Sequence, residues 1–119
     1  MPPSALSRDD GQVTRPERYA DDTRADVVIV DDEALVRVHG DLDLFSVEVL
    51  EQALTATRTL SRVVIDLKHA PFLDLAAMRR IERAARESGE RGQQLRLEHP
   101  PTMVLRMIEL MRLGDLHLC

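Results

Sequence analysis

The segment from residue 62 to residue 88 constrains the fold more than any other part of the chain. Residues 62–67 form a short β-branched run that is typical of a buried strand, and a loop containing Pro71 follows it. A helix is predicted to begin after this loop, because the carboxylate of Asp74 can accept hydrogen bonds from the free amides of a first helical turn. Apolar or small residues then recur at helical spacing, at Ala77, Met78, Ile81, Ala84, Ala85 and Ser88.

Similar patterns predict the elements on either side of this unit. Two strands joined by an acidic turn come before it, and Ser46 is the predicted N-cap of a helix between them and the central strand. Gly89 is predicted to end the second helix in a left-handed conformation. The remaining predicted elements are a strand, a helix and a last edge strand, at residues 94–98, 103–112 and 116–119.

This order of elements predicts an α/β fold with a mixed, mostly parallel sheet of about five strands and three or more helices. The length of 119 residues suits one domain. Residues 1–26 are rich in Pro, Asp, Arg, Ser and Thr without a hydrophobic period, which predicts a flexible N-terminal arm. The domain itself is predicted to span residues 27–119.

The charge balance argues against broad binding to nucleic acids or anionic membranes, because the formal net charge is −5 and both partners favour a basic surface. No apolar run is long enough to span a bilayer, and the first residues lack the hydrophobic core of a signal peptide. The single cysteine, Cys119, cannot form an internal disulfide, which fits a reducing compartment. A cytoplasmic location without membrane insertion is therefore expected.

The sequence offers no pattern of residues typical of an enzyme. Its four histidines are scattered singly, and it contains no glycine-rich phosphate-binding motif. The acidic turn at residues 31–33 is interpreted as a solvated surface, with a metal site as the alternative. We therefore expect no catalytic residue, no cofactor and no metal ion.

Several of these segments together resemble one known family. Gly40-Asp41-Leu42-Asp43, the strand at 63–67, Phe72-Leu73-Asp74, the segment 89–97 and a closing helix near 104–110 follow the order seen in STAS domains. This family contains the anti-sigma factor antagonists and the related domain of sulfate transporters. The resemblance covers residues 27–118.

The resemblance implies a regulatory site at the start of the second helix. Phosphorylated antagonists carry a pattern like Asp-Ser-Ser-Gly-Leu there, and an anti-sigma factor with kinase activity phosphorylates the serine that follows the Asp. In this chain Leu75 and Ala76 follow Asp74, so no hydroxyl is available. Leu75 is interpreted either as an exposed apolar contact for a partner or as a residue that fills a small hydrophobic gap. The predicted partner-binding residues are Asp43, Asp74, Leu75, Ala76, Met78 and Arg79.

The leading hypothesis is a non-enzymatic module that binds an anti-sigma factor. Anti-sigma factors of the serine-kinase type are among the candidate partners. The alternative within the same family is an accessory subunit of a membrane ABC transporter. The sequence leaves two interpretations for each of two further surfaces. The arginines of the second helix, Arg79, Arg83 and Arg86, form either a solvated face or a ridge for an acidic partner. The third helix has more apolar residues than one buried stripe can hold, which indicates a homodimer contact or a face that a further helix covers.

Overall fold

A computed structural model describes residues 23–111 and 117–118. The first strands are β1 (Arg24–Val30) and β2 (Glu33–His39), and helix α1 (Val47–Ala56) follows them. The remaining elements are β3 (Arg62–His69), α2 (Leu75–Glu90), β4 (Gln94–Glu98), α3 (Thr102–Met111) and β5 (His117–Leu118).

The five strands form one sheet in the order β1-β2-β3-β4-β5. Strand β1 pairs antiparallel with β2, and the other neighbours pair in parallel. The predicted α/β fold with a mixed, mostly parallel sheet of about five strands and three helices is confirmed.

The two faces of the sheet differ in composition. One, which we call the helix face, buries alternate residues of β2, β3 and β4 against the helices. It forms an aliphatic core that includes Val36, Ile65, Leu97, Leu50, Met78, Ile81 and Val104. The opposite face, the open face, carries the other residues of the strands, among them Leu35, Arg37, Val64, Asp66 and Arg96. This alternation follows from the two-residue repeat of a strand.

The predicted boundary between arm and domain is three residues too late. Strand β1 begins at Arg24, not at residue 27, because residues 24–26 continue the antiparallel ladder opposite residues 37–39. The hydroxyl of Thr23 donates a hydrogen bond to the carbonyl of Asp41 at 2.8 Å. The predicted flexibility of the arm concerns residues 1–22, which lie outside the described residues.

The predicted end of α2 is wrong. Gly89 lies within the helix, which continues to Glu90, and the left-handed conformation is adopted by Gly92 with φ 80°. Gln93 explains the difference, because its buried side-chain amide donates to the carbonyls of Thr57 and Leu60, both at 2.9 Å. The chain must turn at Gly92 to reach these tertiary acceptors.

The third helix is partly packed. Val104 is buried, and Met103, Met107 and Ile108 pack against the core, whereas Leu105 and Leu110 are exposed. Fewer apolar residues of α3 are therefore exposed than the number of apolar residues in its sequence indicates.

Candidate functional site

Two loops meet at the carboxyl ends of β2 and β3. The backbone N–H of Leu42 donates to the carbonyl of Phe72 at 2.9 Å, and the N–H of Asp74 donates to the carbonyl of Leu42 at 3.0 Å. Leu42 and Leu73 face each other in a parallel bridge, and both are fully buried. We call the paired segments 41–46 and 72–76 the tip. Its backbone is fixed by these bonds and by two core leucines.

Asp74 caps α2 as the sequence predicts. Its carboxylate accepts a hydrogen bond from the N–H of Ala77 at 2.8 Å, and its own backbone is extended. The first residue of the helix, Leu75, has 49% of its surface exposed. Leu75 is therefore an exposed apolar residue, as one of the two sequence interpretations proposed. It does not fill an interior gap, which was the other interpretation.

Asp43 holds the loop before α1 together. Its Oδ1 atom accepts hydrogen bonds from the N–H groups of Phe45 at 2.9 Å and Ser46 at 2.8 Å. These bonds, that from the Ser46 N–H foremost, lower the pKa of Asp43 against the opposing effect of burial. Ser46 occupies the predicted N-cap position of α1, but its side chain makes no capping hydrogen bond, because its hydroxyl donates to the carbonyl of Asp41 at 2.8 Å. Asp43 thus supplies the side-chain acceptor that was expected of Ser46, for the N–H groups that directly precede α1.

The other predicted partner-binding residues divide into buried and accessible ones. Met78 is fully buried and belongs to the core, so its prediction as a contact residue is corrected. It lies three residues after Leu75, close to one helical turn, yet it points towards the sheet. Ala76 is half-buried, and Arg79 is exposed one turn after Leu75.

The tip also exposes three large apolar residues that the sequence interpretation did not select. Phe45 is 77% exposed, and Leu44 and Phe72 are about half exposed. Together with Leu75 they form what we call the tip patch: Leu44, Phe45, Phe72 and Leu75. The sequence signal for them was apolar residues within predicted loops, because connecting segments run over the protein surface. Exposed apolar residues grouped on adjacent loops indicate an interaction surface.

The open face carries a polar cluster at the same end of the sheet. The Nδ1 atom of His99 lies 3.0 Å from Oδ1 of Asp66, which also accepts from the N–H of Lys68 at 2.9 Å. The guanidinium of Arg37 lies 3.6 Å from Oδ2. Burial acts to raise the pKa of Asp66, but these hydrogen bonds and charges outweigh it, and the pKa is lowered.

Among the described residues, this cluster is the one in which three possible ligand atoms for a cation lie close together. Asp66, Glu98 and His99 bring one ligand atom each to within 4.8 Å of one another. The hydrogen bonds to Lys68 and His99 and the nearby Arg37 account for the position of the carboxylate without an ion. The cluster therefore reads as a structural polar network.

A second histidine contact lies beside this cluster. The rings of His39 and His69 stack with their centroids 5.2 Å apart, and Nε2 of His39 lies 3.2 Å from Oδ2 of Asp26. Burial is the main cause that lowers the pKa of His39, and the charge of Arg24 acts in the same direction. The sequence interpretation treated each histidine as isolated, since pairing across strands leaves no local pattern.

Among residues 23–111 and 117–118, no helix has the length and apolarity needed to cross a membrane. The longest helix, α2, has 16 residues and a polar outer face.

The chain is similar to known proteins in sequence and in structure. The family model described as "STAS domain" matches residues 24–117. An anti-sigma factor antagonist from Mycobacterium paratuberculosis is 23% identical with a TM-score of 0.65, covering 82% of this chain and 86% of that one. A putative anti-sigma factor antagonist from Thermotoga maritima is 15% identical with a TM-score of 0.70, covering 79% and 84%. The phosphorylated form of the Bacillus cell fate determinant SpoIIAA is 15% identical with a TM-score of 0.64, covering 80% and 90%.

A larger protein, Mglu, also shares this fold, at 22% identity and a TM-score of 0.60. The match covers 68% of this chain but only 20% of Mglu, so this chain corresponds to a small part of that protein. At such identities these structures establish the common fold.

Proposed function

Because the chain belongs to the STAS domain family, we propose that it is a non-enzymatic binding module that acts as an anti-sigma factor antagonist. The tip patch is the surface that contacts the anti-sigma factor. Binding there competes with the sigma factor for the anti-sigma factor, and the sigma factor is released. The similarity of the fold to anti-sigma factor antagonists, among them the unphosphorylated form of SpoIIAA, supports this proposal.

The observation that carries the proposal is the exposure of Leu75 directly after the capping Asp74. Leu75 stands at the start of a helix whose backbone is tied to the neighbouring loop through Leu42. Because this backbone is already ordered in the free protein, binding a partner costs less conformational entropy than binding through a flexible loop would.

The tip patch supplies enough apolar surface for a central contact. Fully burying an exposed large apolar side chain contributes about 1.5–3 kcal/mol, and the four residues of the patch, each about half or more exposed, would contribute a corresponding part of that value. Phenylalanine is among the residues enriched in interface cores. Arg79 adds a positive charge one turn along α2, which favours a partner with a carboxylate at the edge of its apolar surface.

The tip has no phospho-acceptor at the expected position. Leu75 and Ala76 lack the hydroxyl that the family resemblance places after Asp74, whereas one relative, SpoIIAA, is known in a phosphorylated form. A phosphate would add a charge of about −1.5 to −2 beside an apolar contact and weaken it. Without that acceptor, the amount of this protein and its affinity determine how much sigma factor is free.

The alternative function, an accessory subunit of an ABC transporter, is not favoured. The three structures reported above with a stated role in regulation are anti-sigma factor antagonists or a cell fate determinant.

A sigma-release assay tests the proposal. A recombinant anti-sigma factor with a serine-kinase domain, from the same genome, is bound to its sigma factor and titrated with this protein. We expect free sigma factor in the presence of ADP and equally in the presence of ATP. The Leu75→Ser variant serves as the matched comparison, and it should release sigma factor with ADP and become less effective with ATP as phosphate is incorporated.

Two results would contradict the proposal. One is no release by the wild-type chain with any anti-sigma factor of that genome. The other is phosphorylation of the wild-type chain accompanied by loss of release, which would place the control point elsewhere.

A further inference from the structure

Strand β1 has an unusual edge. It is the first strand of the sheet, and among the residues that the structure describes no strand pairs with its outer side. Its last four residues, Val27, Val28, Ile29 and Val30, are all apolar, and each is 40% to 65% exposed. Exposed edge strands in proteins normally carry charges, prolines or bulges that prevent pairing, and this segment has none of them.

We propose that β1 pairs with β1 of a second copy of this chain, which joins two sheets into one sheet of ten strands. This proposal is independent of the tip and of the proposed partner. A strand that is apolar on both faces needs a partner that is also apolar on both faces, and a second β1 meets that requirement.

Symmetry limits the possible registers. A two-fold axis perpendicular to the sheet makes two copies of one strand antiparallel, and it keeps the helix faces of both sheets on the same side. Directly opposite residues then belong to the same face. The axis must therefore pass beside a residue that lies opposite its own copy.

The apolar surface selects Val28 as that residue. Within one copy, Val28 lies opposite Leu35, and Leu35 lies opposite Val64, all on the open face. With the axis at Val28, this row continues across the interface without a break. On the helix face, Val27 of each copy then lies opposite Ile29 of the other.

The other registers near Val28 are less favourable. An axis at Val27 would place both Arg24 and Asp26 opposite apolar residues, Val30 and Val28, whereas an axis at Val28 leaves only Asp26 in such a pair. An axis at Ile29 would pair only residues 28–30, because β1 ends at Val30 and the chain then turns into β2.

A cysteine cross-linking experiment tests both the interface and its register. Cys119→Ser is the background, so that no native thiol contributes. Val28→Cys should form an intermolecular disulfide at high yield under mild oxidation, since directly opposite residues satisfy the distance that a disulfide requires. The matched control is Val30→Cys, whose two copies would lie about 13 Å apart along the strands and should not cross-link.

Sedimentation velocity under reducing conditions provides the second measurement. The wild-type chain should form dimers as its concentration rises, and Val28→Lys should weaken the dimer by at least about tenfold by placing two like charges opposite each other. Leu110→Lys, at an exposed position of α3, is the control and should leave the dimer unchanged.

Each contrary outcome overturns the proposal. A wild-type chain that stays monomeric up to millimolar concentration excludes the pairing. A dimer that persists in Val28→Lys, or equal cross-linking through positions 28 and 30, assigns the contact to another surface or to non-specific association.

Discussion

The carboxylate of Asp66 and the ring of His99, 33 residues apart in the chain, lie within hydrogen-bonding distance at 3.0 Å. The contact fixes the loop after β4 against the end of β3. His99 adopts φ 54°, a left-handed conformation that is uncommon for a residue with a side chain. The hydrogen bond to the buried carboxylate of Asp66 holds His99 in this conformation.

Replacing this carboxylate should lower stability in a pH-dependent manner. Asp66→Asn keeps the shape but removes the charge that faces Arg37 and His99, and we expect a loss of about 1–3 kcal/mol in the free energy of unfolding at pH 7. Because the pKa of Asp66 in the folded chain lies below its ordinary value of 3.8, its contribution is complete above that pH and is lost as the pH falls through the folded value.

Urea unfolding from pH 7 down to pH 3 measures this difference. Glu82→Gln is the control, because it removes an i,i+4 ion pair with Arg86 along α2, and such pairs contribute little to stability. The interpretation of Asp66 is wrong if Asp66→Asn and Glu82→Gln cost the same at pH 7, or if the Asp66 difference grows on acidification.

The two glycines near the end of α2 should respond in opposite ways to alanine. Gly92→Ala places a side chain at φ 80° and should destabilise the chain by about 1 kcal/mol. Gly89→Ala should stabilise it by about 0.5–1 kcal/mol, since Gly89 is helical and nothing lies within 4 Å of an added methyl group. Thermal unfolding of the two variants checks this, and shifts of the same sign would show that the helix ends elsewhere.

Substitutions of Asp43 should show whether its role is purely structural. Asp43→Ala removes the acceptor for the N–H groups of Phe45 and Ser46, and we expect a loss of about 1 kcal/mol in stability. Asp43→Asn retains an acceptor oxygen and should cost less. If Asp43→Asn weakens binding to the anti-sigma factor while its melting temperature stays near the wild-type value, the charge of Asp43 contacts the partner; unchanged binding assigns the residue to the loop alone.

Phe45 should contribute to binding without contributing to stability. It is the most exposed residue of the tip patch, so Phe45→Ala removes little buried surface from the free protein. Binding to the anti-sigma factor should weaken by roughly tenfold, as for an aromatic residue at an interface centre. Calorimetric titration measures the change, and an affinity equal to that of the wild type would remove Phe45 from the contact surface.

Much of the fold was predictable because it rests on local signals. The strand within residues 62–67 and the capping by Asp74 depend on neighbouring residues, and both are confirmed. The end of α2 was not predictable in this way, because Gly89 and Gly92 are equally permissive and the buried hydrogen bonds of Gln93 decide between them.

The candidate site was predictable only in outline. Helical periodicity placed Met78 in the core, whereas the family resemblance placed it at the contact surface, and burial decides for the core. Phe45 is exposed in a loop whose backbone is held by the carboxylate of Asp43, and this contact could not be read from the sequence pattern. The pairing of Asp66 with His99 leaves no pattern in the sequence, since it joins the ends of separate strands.

The affinity of Leu75→Glu for the anti-sigma factor tests the central claim most directly. A carboxylate at the first position of α2 is favourable for the helix, so the fold and melting temperature should be retained. We predict that binding measured by calorimetry weakens at least about tenfold, because a charge replaces the apolar contact, whereas Leu110→Glu on α3 binds like the wild type. Equal affinities for wild type, Leu75→Glu and Leu110→Glu would contradict the account.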